Sequence, residues 1–261
     1  MQFENVILEK SDHIVTVTLN RPKAFNSFNF GLGEDLVGAL EMCTDDPDVK
    51  AVIITGAGRA FCAGGDLMLF QQSPNTSNTL RQVIKILNTC IMVIRRMPQP
   101  VIASINGAVG AAGMSIAAAC DLRIAASSVR FKQAYTSVGL VPDGAWTLLI
   151  PLLIGFGKAS ELVFLDPIFD AETALTLGFV NKVVGDAELA RETRDMAARL
   201  AAGPSVAFSI VKENLNNALL GFLERQLELE RRGMTTVGKT ADAAEGIAAF
   251  VEKRTPDFTG Q

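Results

Sequence analysis

A mixed α/β core that gives way to a helical tail is the fold class this 261-residue sequence predicts. Three observations carry that expectation. Strand, strand and helix signals recur in that order through the first half of the chain. Two loops built largely from Gly and Ala each follow directly on a strand. Beyond Asp143 the strand signals nearly stop and helical periodicity takes over.

Taken in order, residues 6–9 and 14–19 alternate apolar and polar side chains across Ser11-Asp12-His13, the pattern of a hairpin. Residues 20–26 break that pattern, and 33–43 follow at helical spacing. Residues 49–55 form a β-branched strand, and a Gly/Ala-rich loop runs from Gly56 to Gly65. Residues 67–70 lead into 71–78, a polar stretch expected to lack regular structure. Over 80–97, Val83, Ile84, Leu87, Ile91 and Ile94 share one helical face, and Pro98 and Pro100 end the helix. Residues 100–105 give the next strand, followed by an Asn-Gly turn. Between Gly107 and Gly113 every residue except Val109 is Gly or Ala. The apolar helix expected over 113–120 carries no charge, which marks it as core. Residues 122–125 and 129–133 are extended. Helices are then expected over 146–154, 158–165, 171–178, 187–201 and 205–232, with only 181–184 extended among them. Residues 224–232 are dense in charge and read as an exposed or intersubunit helical face.

Composition narrows the function. With 49% hydrophobic and 20% charged residues, the chain can bury a large core. A net charge of -4 argues against a nucleic-acid surface, and neither a membrane span nor a polybasic membrane patch is expected. The opening MQFENVILEK lacks the layout of a secretion signal, so a cytoplasmic location is the expectation. Cys43, Cys62, Cys90 and Cys120 show no metal-type spacing and read as reduced thiols, and no metal site is expected. His13, the only histidine, sits in a hairpin turn, which excludes Ser/His/Asp and Cys/His catalysis.

The two loops, GAGRAFCAGGDL from Gly56 and NGAVGAAG from Asn106, suit the close approach of a ligand to the backbone. The second also opens a buried helix, whose first N–H groups lack helical partners. Two such donors converging on one oxygen would stabilise a carbonyl as it becomes enolate-like. Neither loop fits the phosphate-binding GxxxxGK[ST] or GxGxxG patterns.

These segments, with LNRPKAFNSFN from Leu19, FKQAYTSVGLVPDG from Phe131 and AAEGIAAFVEKRTPDF from Ala243, resemble the crotonase (enoyl-CoA hydratase/isomerase) superfamily across residues 6–258. The resemblance implies a spiral of ββα turns over residues 1–200 and a helical region over 201–261 that builds homotrimers, often paired into hexamers. It implies an acyl-CoA thioester substrate and no separate cofactor, because coenzyme A enters as part of the substrate. Backbone N–H groups of Gly65 and Ala112 would hold the thioester oxygen. The coenzyme would pass Lys23, Ala24 and Phe25, then Ala63, Asp66 and Leu67, and reach Lys253.

The sequence also departs from its two-glutamate hydratases. Their acidic positions are Ser115 and Tyr135 here, and neither side chain is a carboxylate base. Adding water across C=C needs an activated water and a proton delivered to carbon, whereas moving a double bond needs one base. Asp143 stands where single-aspartate members of the superfamily carry their acid. On its own, an Asp before a helix is an ordinary N-cap worth ~1 kcal/mol; the resemblance turns the reading toward catalysis. Asp66 would shape its loop or meet the coenzyme, and Asp121 would be structural. Tyr135 would wall the acyl pocket, and Trp146 and residues 71–79 would line or cover it. The expectation is therefore an acyl-CoA isomerase. Its alternatives are an enoyl-CoA hydratase using a Ser115-bound water, a hydrolase or dehalogenase with Asp143 as nucleophile, and a non-catalytic acyl-CoA binding protein.

Overall fold

The computed structural model describes residues 3–219 and 221–261. Its elements in chain order are β1 (Val6–Ser11), β2 (Ile14–Leu19), α1 (Phe30–Asp45), β3 (Ala51–Gly56), β4 (Ala60–Cys62), α2 (Leu67–Gln71), α3 (Thr76–Arg96), β5 (Val101–Ile105), β6 (Ala108–Gly110) and α4 (Ala112–Ala119). There follow β7 (Leu122–Ala126), β8 (Arg130–Lys132), α5 (Trp146–Ile154), α6 (Phe156–Leu165), β9 (Phe169–Asp170), α7 (Ala171–Thr176) and β10 (Lys182–Val184). Four helices, α8 (Leu189–Ala201), α9 (Ser205–Leu219), α10 (Leu223–Val237) and α11 (Ala241–Glu252), complete the chain.

Two sheets result, one in the order β1-β2-β3-β5-β7-β10 and one in the order β4-β6-β8-β9. Strands β3, β5 and β7 lie side by side and parallel in the first. The strands that follow them, β4, β6 and β8, lie side by side and parallel in the second. Each turn of the chain thus adds a strand to both sheets before entering a helical segment, which is the ββα spiral. The cause is visible in β3 and β5, AVIITG and VIASI, where every residue but Thr55 is buried. Such unbroken apolar runs suit parallel strands covered on both faces. The antiparallel hairpin of β1 and β2 closes one edge. Helix α3 buries Leu80, Val83, Ile84, Leu87, Ile91 and Ile94 against α1, α4 and α10. Side-chain oxygens of Asn29, Asp66, Asn75 and Thr240 accept N–H groups at the starts of α1, α2, α3 and α11. Each such cap is worth ~1 kcal/mol.

Several local expectations are corrected. Both Gly/Ala loops contain a short strand, β4 and β6, because alanine and glycine let neighbouring backbones pair without side-chain obstruction. The polar stretch 71–78 is regular at both ends: α2 runs to Gln71, and α3 starts at Thr76 behind the Asn75 cap, with Ser77 Oγ donating to Thr235 O. The single helix expected over 205–232 is two, α9 and α10, with Gly221 in the gap between them. Its charge-dense end is not uniformly exposed, since Glu230 is buried.

Large apolar side chains stand exposed on α9 (Val206, Ile210, Val211, Leu215), in keeping with an oligomerisation region at this end of the chain. Phe156, Phe164, Leu165 and Ile168 extend the exposed apolar surface upstream of residue 201. Among the described residues no helix is long and apolar enough to cross a membrane.

Candidate active site

Parallel pairing of β4 with β6 brings the loops that follow them to the same edge of the small sheet. The two are knit together upstream: Asn106 accepts Gly56 N–H at 3.1 Å and donates to Gly58 O at 3.0 Å, and Ala108 N–H donates to Arg59 O at 3.2 Å. Glycine is required where they touch. A Cβ on Gly113 would stand 2.1 Å from Cys62 O, and one on Gly64, whose φ is +117°, would stand 2.9 Å from Ala111 Cβ.

Beside this contact, the N–H groups of Gly65 and Ala112 have no backbone acceptor among the described residues. Phe28 pairs with the strand-like segment around Gly65 by donating to Gly64 O at 2.7 Å and accepting Asp66 N–H at 2.9 Å. The Gly65 N–H therefore points away from Phe28. Ala111 adopts φ 40° and ψ -117°, outside the ordinary regions for an alanine, at a cost of about 1–3 kcal/mol. That bend starts α4, and Ala112 supplies its first N–H, which has no helical acceptor. Gly65 and Ala112 line one cavity of about 540 Å³.

Asp143 lines the same cavity although it is only 6% exposed. Tyr135 Oη donates to its Oδ1 at 2.7 Å. Among the described residues its Oδ2 has no hydrogen-bond partner and is not sealed from solvent, so it keeps access to the cavity. Burial pushes the carboxyl up to about 7, and the Tyr135 hydrogen bond opposes that shift. Burial and then the neighbouring carboxylate push the Tyr135 phenol well above its usual range, so it stays a neutral donor. The Asp143 carboxyl does not cap α5. The cap position belongs to Ala145, which makes no side-chain cap; Trp146 N–H donates to the Asp143 backbone O at 3.3 Å, and Glu230 from α10 accepts the Ala145 and Thr147 N–H groups.

Of the residues expected along the ligand path, Ala24, Phe25, Ala63, Asp66, Leu67, Tyr135 and Lys253 all line the cavity. Lys23 does not; it is exposed in the 3-10 turn Pro22–Ala24 beside the mouth. Asp66 is tied to Arg21 at 3.0 Å and caps α2, so its carboxylate is already engaged. Lys132, Lys253 and Arg254 add positive charge to the lining, and Arg59 lies 5.1 Å over the Phe25 ring. The apolar wall comes from Phe70, Leu80, Val83, Ile84 and Leu87, with Met234 and Phe250 opposite in sequence. Two lining assignments are corrected. Trp146 is sealed in the core at 1% exposure, and residues 71–79 do not reach the cavity, although Phe70 and Leu80 on either side of them do.

Other candidates lie elsewhere. Asp121 accepts Val101 N–H and pairs with Arg95 and Lys212. His13 is exposed beside Asp48. Burial pushes the Cys62 thiol up to about 11, which leaves it inert as a nucleophile. Among the described residues no cluster of three or more His, Cys, Asp or Glu could hold a metal ion. Sequence reading missed Glu230, yet a signal for it exists. Leu223, Leu227, Glu230 and Met234 follow a 4-3-4 spacing and are all buried, so the glutamate occupies a core position of α10.

Residues 9–261 match the family described as enoyl-CoA hydratase/isomerase. The chain is 36% identical over 262 residues to a "probable enoyl-CoA hydratase" of Rhodobacter capsulatus, covering 100% of both chains. It is equally 36% identical over 250 residues to the 1,2-epoxyphenylacetyl-CoA isomerase of Escherichia coli K12, covering 95% of each. The crystal structure of an enoyl-CoA hydratase from Mycobacterium avium subsp. paratuberculosis K-10 superposes with a TM-score of 0.90 at 33% identity, covering 99% of this chain and 100% of the other.

Proposed function

Because the chain belongs to the enoyl-CoA hydratase/isomerase family, we propose that it is an acyl-CoA isomerase that works through a thioester enolate with Asp143 as its single acid–base group. The observation that carries this reading is the inventory of acids at the cavity. Among the described lining residues these are Asp66 and Asp143, and Asp66 is committed to Arg21 and the start of α2.

In this reading the thioester oxygen accepts the Gly65 and Ala112 N–H groups. The Asp143 carboxylate takes a proton from C2 of a 3-enoyl thioester, and the electron pair delocalises as a dienolate onto that oxygen. The protonated carboxyl then returns its proton to C4, and the double bond moves from C3=C4 to C2=C3. No water and no redox partner enter the balance. A carboxyl near pH 7 suits a group that must both accept and donate a proton. Tyr135 holds Oδ1 and leaves Oδ2 for the substrate. The name of the E. coli relative brings ring-derived thioesters into the same substrate class.

The hydratase alternative would need a water held by Ser115. That residue is fully buried outside the cavity lining, and its hydroxyl donates to Asp143 O at 2.7 Å. Incubation with a 3-enoyl-CoA should give the conjugated 2-enoyl product, while crotonyl-CoA should remain unhydrated. Hydration of crotonyl-CoA at a rate matching or exceeding isomerisation would overturn the proposal.

Only the ionised carboxylate accepts a proton, so kcat should fall as pH drops through about 7. The phenol favours that ionised form. Tyr135→Phe should therefore move the acid limb of the kcat profile to higher pH; an unmoved limb would separate Tyr135 from the base.

A further inference from the structure

We propose that Glu230 is a positioning residue, which from α10 grips the turn carrying Asp143 and holds that carboxyl against Tyr135. The inference rests on the reading of Asp143 as the base. The turn is an unfavourable one, since Gly144 and Ala145 both adopt left-handed conformations with φ of 65° and 64°. It is clamped from two sides. On one, Ser115 of α4 donates to Asp143 O at 2.7 Å. On the other, Glu230 Oε2 accepts Ala145 N–H at 2.6 Å, while Oε1 accepts Thr147 N–H at 2.9 Å and the Thr147 hydroxyl. Gln226 donates to that hydroxyl at 2.7 Å and orients it. Four donors and acceptors from two helices thus fix a five-residue turn, and a turn so fixed sets where its first side chain points. Glu230 is 5% exposed, and its charge is met by the positive end of α5 instead of by a cation.

The placement has an electrostatic consequence. Burial pushes the Glu230 carboxyl up to about 7, with the neighbouring Asp143 charge adding to the rise, and the N–H and O–H donors of the turn oppose it. The ionisable groups facing it are Asp143 and Tyr135 of the 131–145 segment. Helix α5 presents Thr147, and α3 reaches this part of α10 through Asn88 on Leu227 O; neither side chain titrates. Arg231 and Arg232 of α10 both pair with Glu228. The Asp143 charge is thus felt by Glu230, whereas burial and the Tyr135 hydrogen bond set the Asp143 carboxyl.

Glu230→Gln keeps the shape but replaces one acceptor with a donor and removes the charge. The expected result is a fall of about 10- to 100-fold in kcat with KM unchanged, as for a catalytic group displaced by about an ångström. The acid limb of the kcat profile should also move to higher pH, the direction of Tyr135→Phe, because the carboxyl leaves the phenol whose hydrogen bond favours its ionised form. Wild-type kcat, or a reduced kcat with an unmoved limb, would overturn the inference. Should E230Q not accumulate as folded protein, Thr147→Ala replaces it; that variant removes the hydroxyl with its contacts to Glu230 and Gln226, keeps both N–H contacts of Glu230, and should shift the limb in the same direction with a smaller loss. A folded T147A with wild-type kcat and limb would then overturn it. Asp143→Asn assayed in parallel separates the two readings, because an active D143N defeats the base assignment itself.

Discussion

Asp143→Asn is expected to lower kcat for a 3-enoyl-CoA by about 10²- to 10⁴-fold, the usual worth of a positioned acid–base group. Asparagine fills the same volume and keeps an oxygen for the Tyr135 hydroxyl, which now sits 2.7 Å from Oδ1. The cavity and its thioester affinity should therefore survive. Calorimetric titration with a non-reactive thioester should return an unchanged Kd while deuterium exchange at C2 stops. Retained turnover would end the role of Asp143 and leave the family membership intact. The same variant reports on burial. The native carboxyl keeps its proton up to about 7, whereas in the unfolded chain it loses it near ~4. Ionising it therefore costs the native state stability that develops between those values and is complete above them. Asparagine removes the cost, so the gain in Tm over wild type should be larger at about pH 8 than at about pH 5.

The second large effect is expected at the oxyanion donors, which no ordinary side-chain substitution can remove. Proline can. Ala112 is the first residue of α4, where an N–H has no helical acceptor and the helix itself accepts proline, while Ala111 before it must leave its φ 40°, ψ -117° bend for the extended region that precedes a proline. Ala112→Pro should leave α4 formed, as judged by circular dichroism, and lower kcat/KM by about 10²- to 10³-fold through loss of one donor. The ring would occupy the place of the N–H, so the thioester oxygen loses its seat in either case. A folded A112P with wild-type kcat/KM would show that the oxygen is held elsewhere.

How much of this was legible in the sequence differs by element. Strand β2 and helix α3 announce themselves by periodic burial along the chain, and β3 and β5 by unbroken apolar runs bounded by Gly and Pro. Short strands of three residues, β4 and β6, carry too little periodicity to stand out from the Gly/Ala loops around them. At the site, the two loops were legible as candidates because each is a compact local pattern, and the acid became one only through the resemblance. The cavity wall was not. Trp146 is as large and apolar as a wall residue should be, yet the packing of α5 turns it into the core. Met234 lines the cavity from a helix nearly a hundred residues beyond Asp143.

The sequence by itself determined a mixed α/β core with a helical tail and two loops without side-chain bulk, because these are local patterns of residue type. The spiral, the family and the assignment of an oxygen to Gly65 and Ala112 and of a proton to Asp143 came through the resemblance of whole segments to the superfamily. Only the tertiary structure decided that Tyr135 occupies one oxygen of Asp143, that Ser115 is sealed off from the cavity, and that Glu230 reaches across from α10 to hold the turn. The reason is that hydrogen bonds between distant segments and the removal of water from a carboxyl depend on how whole elements pack. No stretch of sequence around Asp143 contains the helix that buries it.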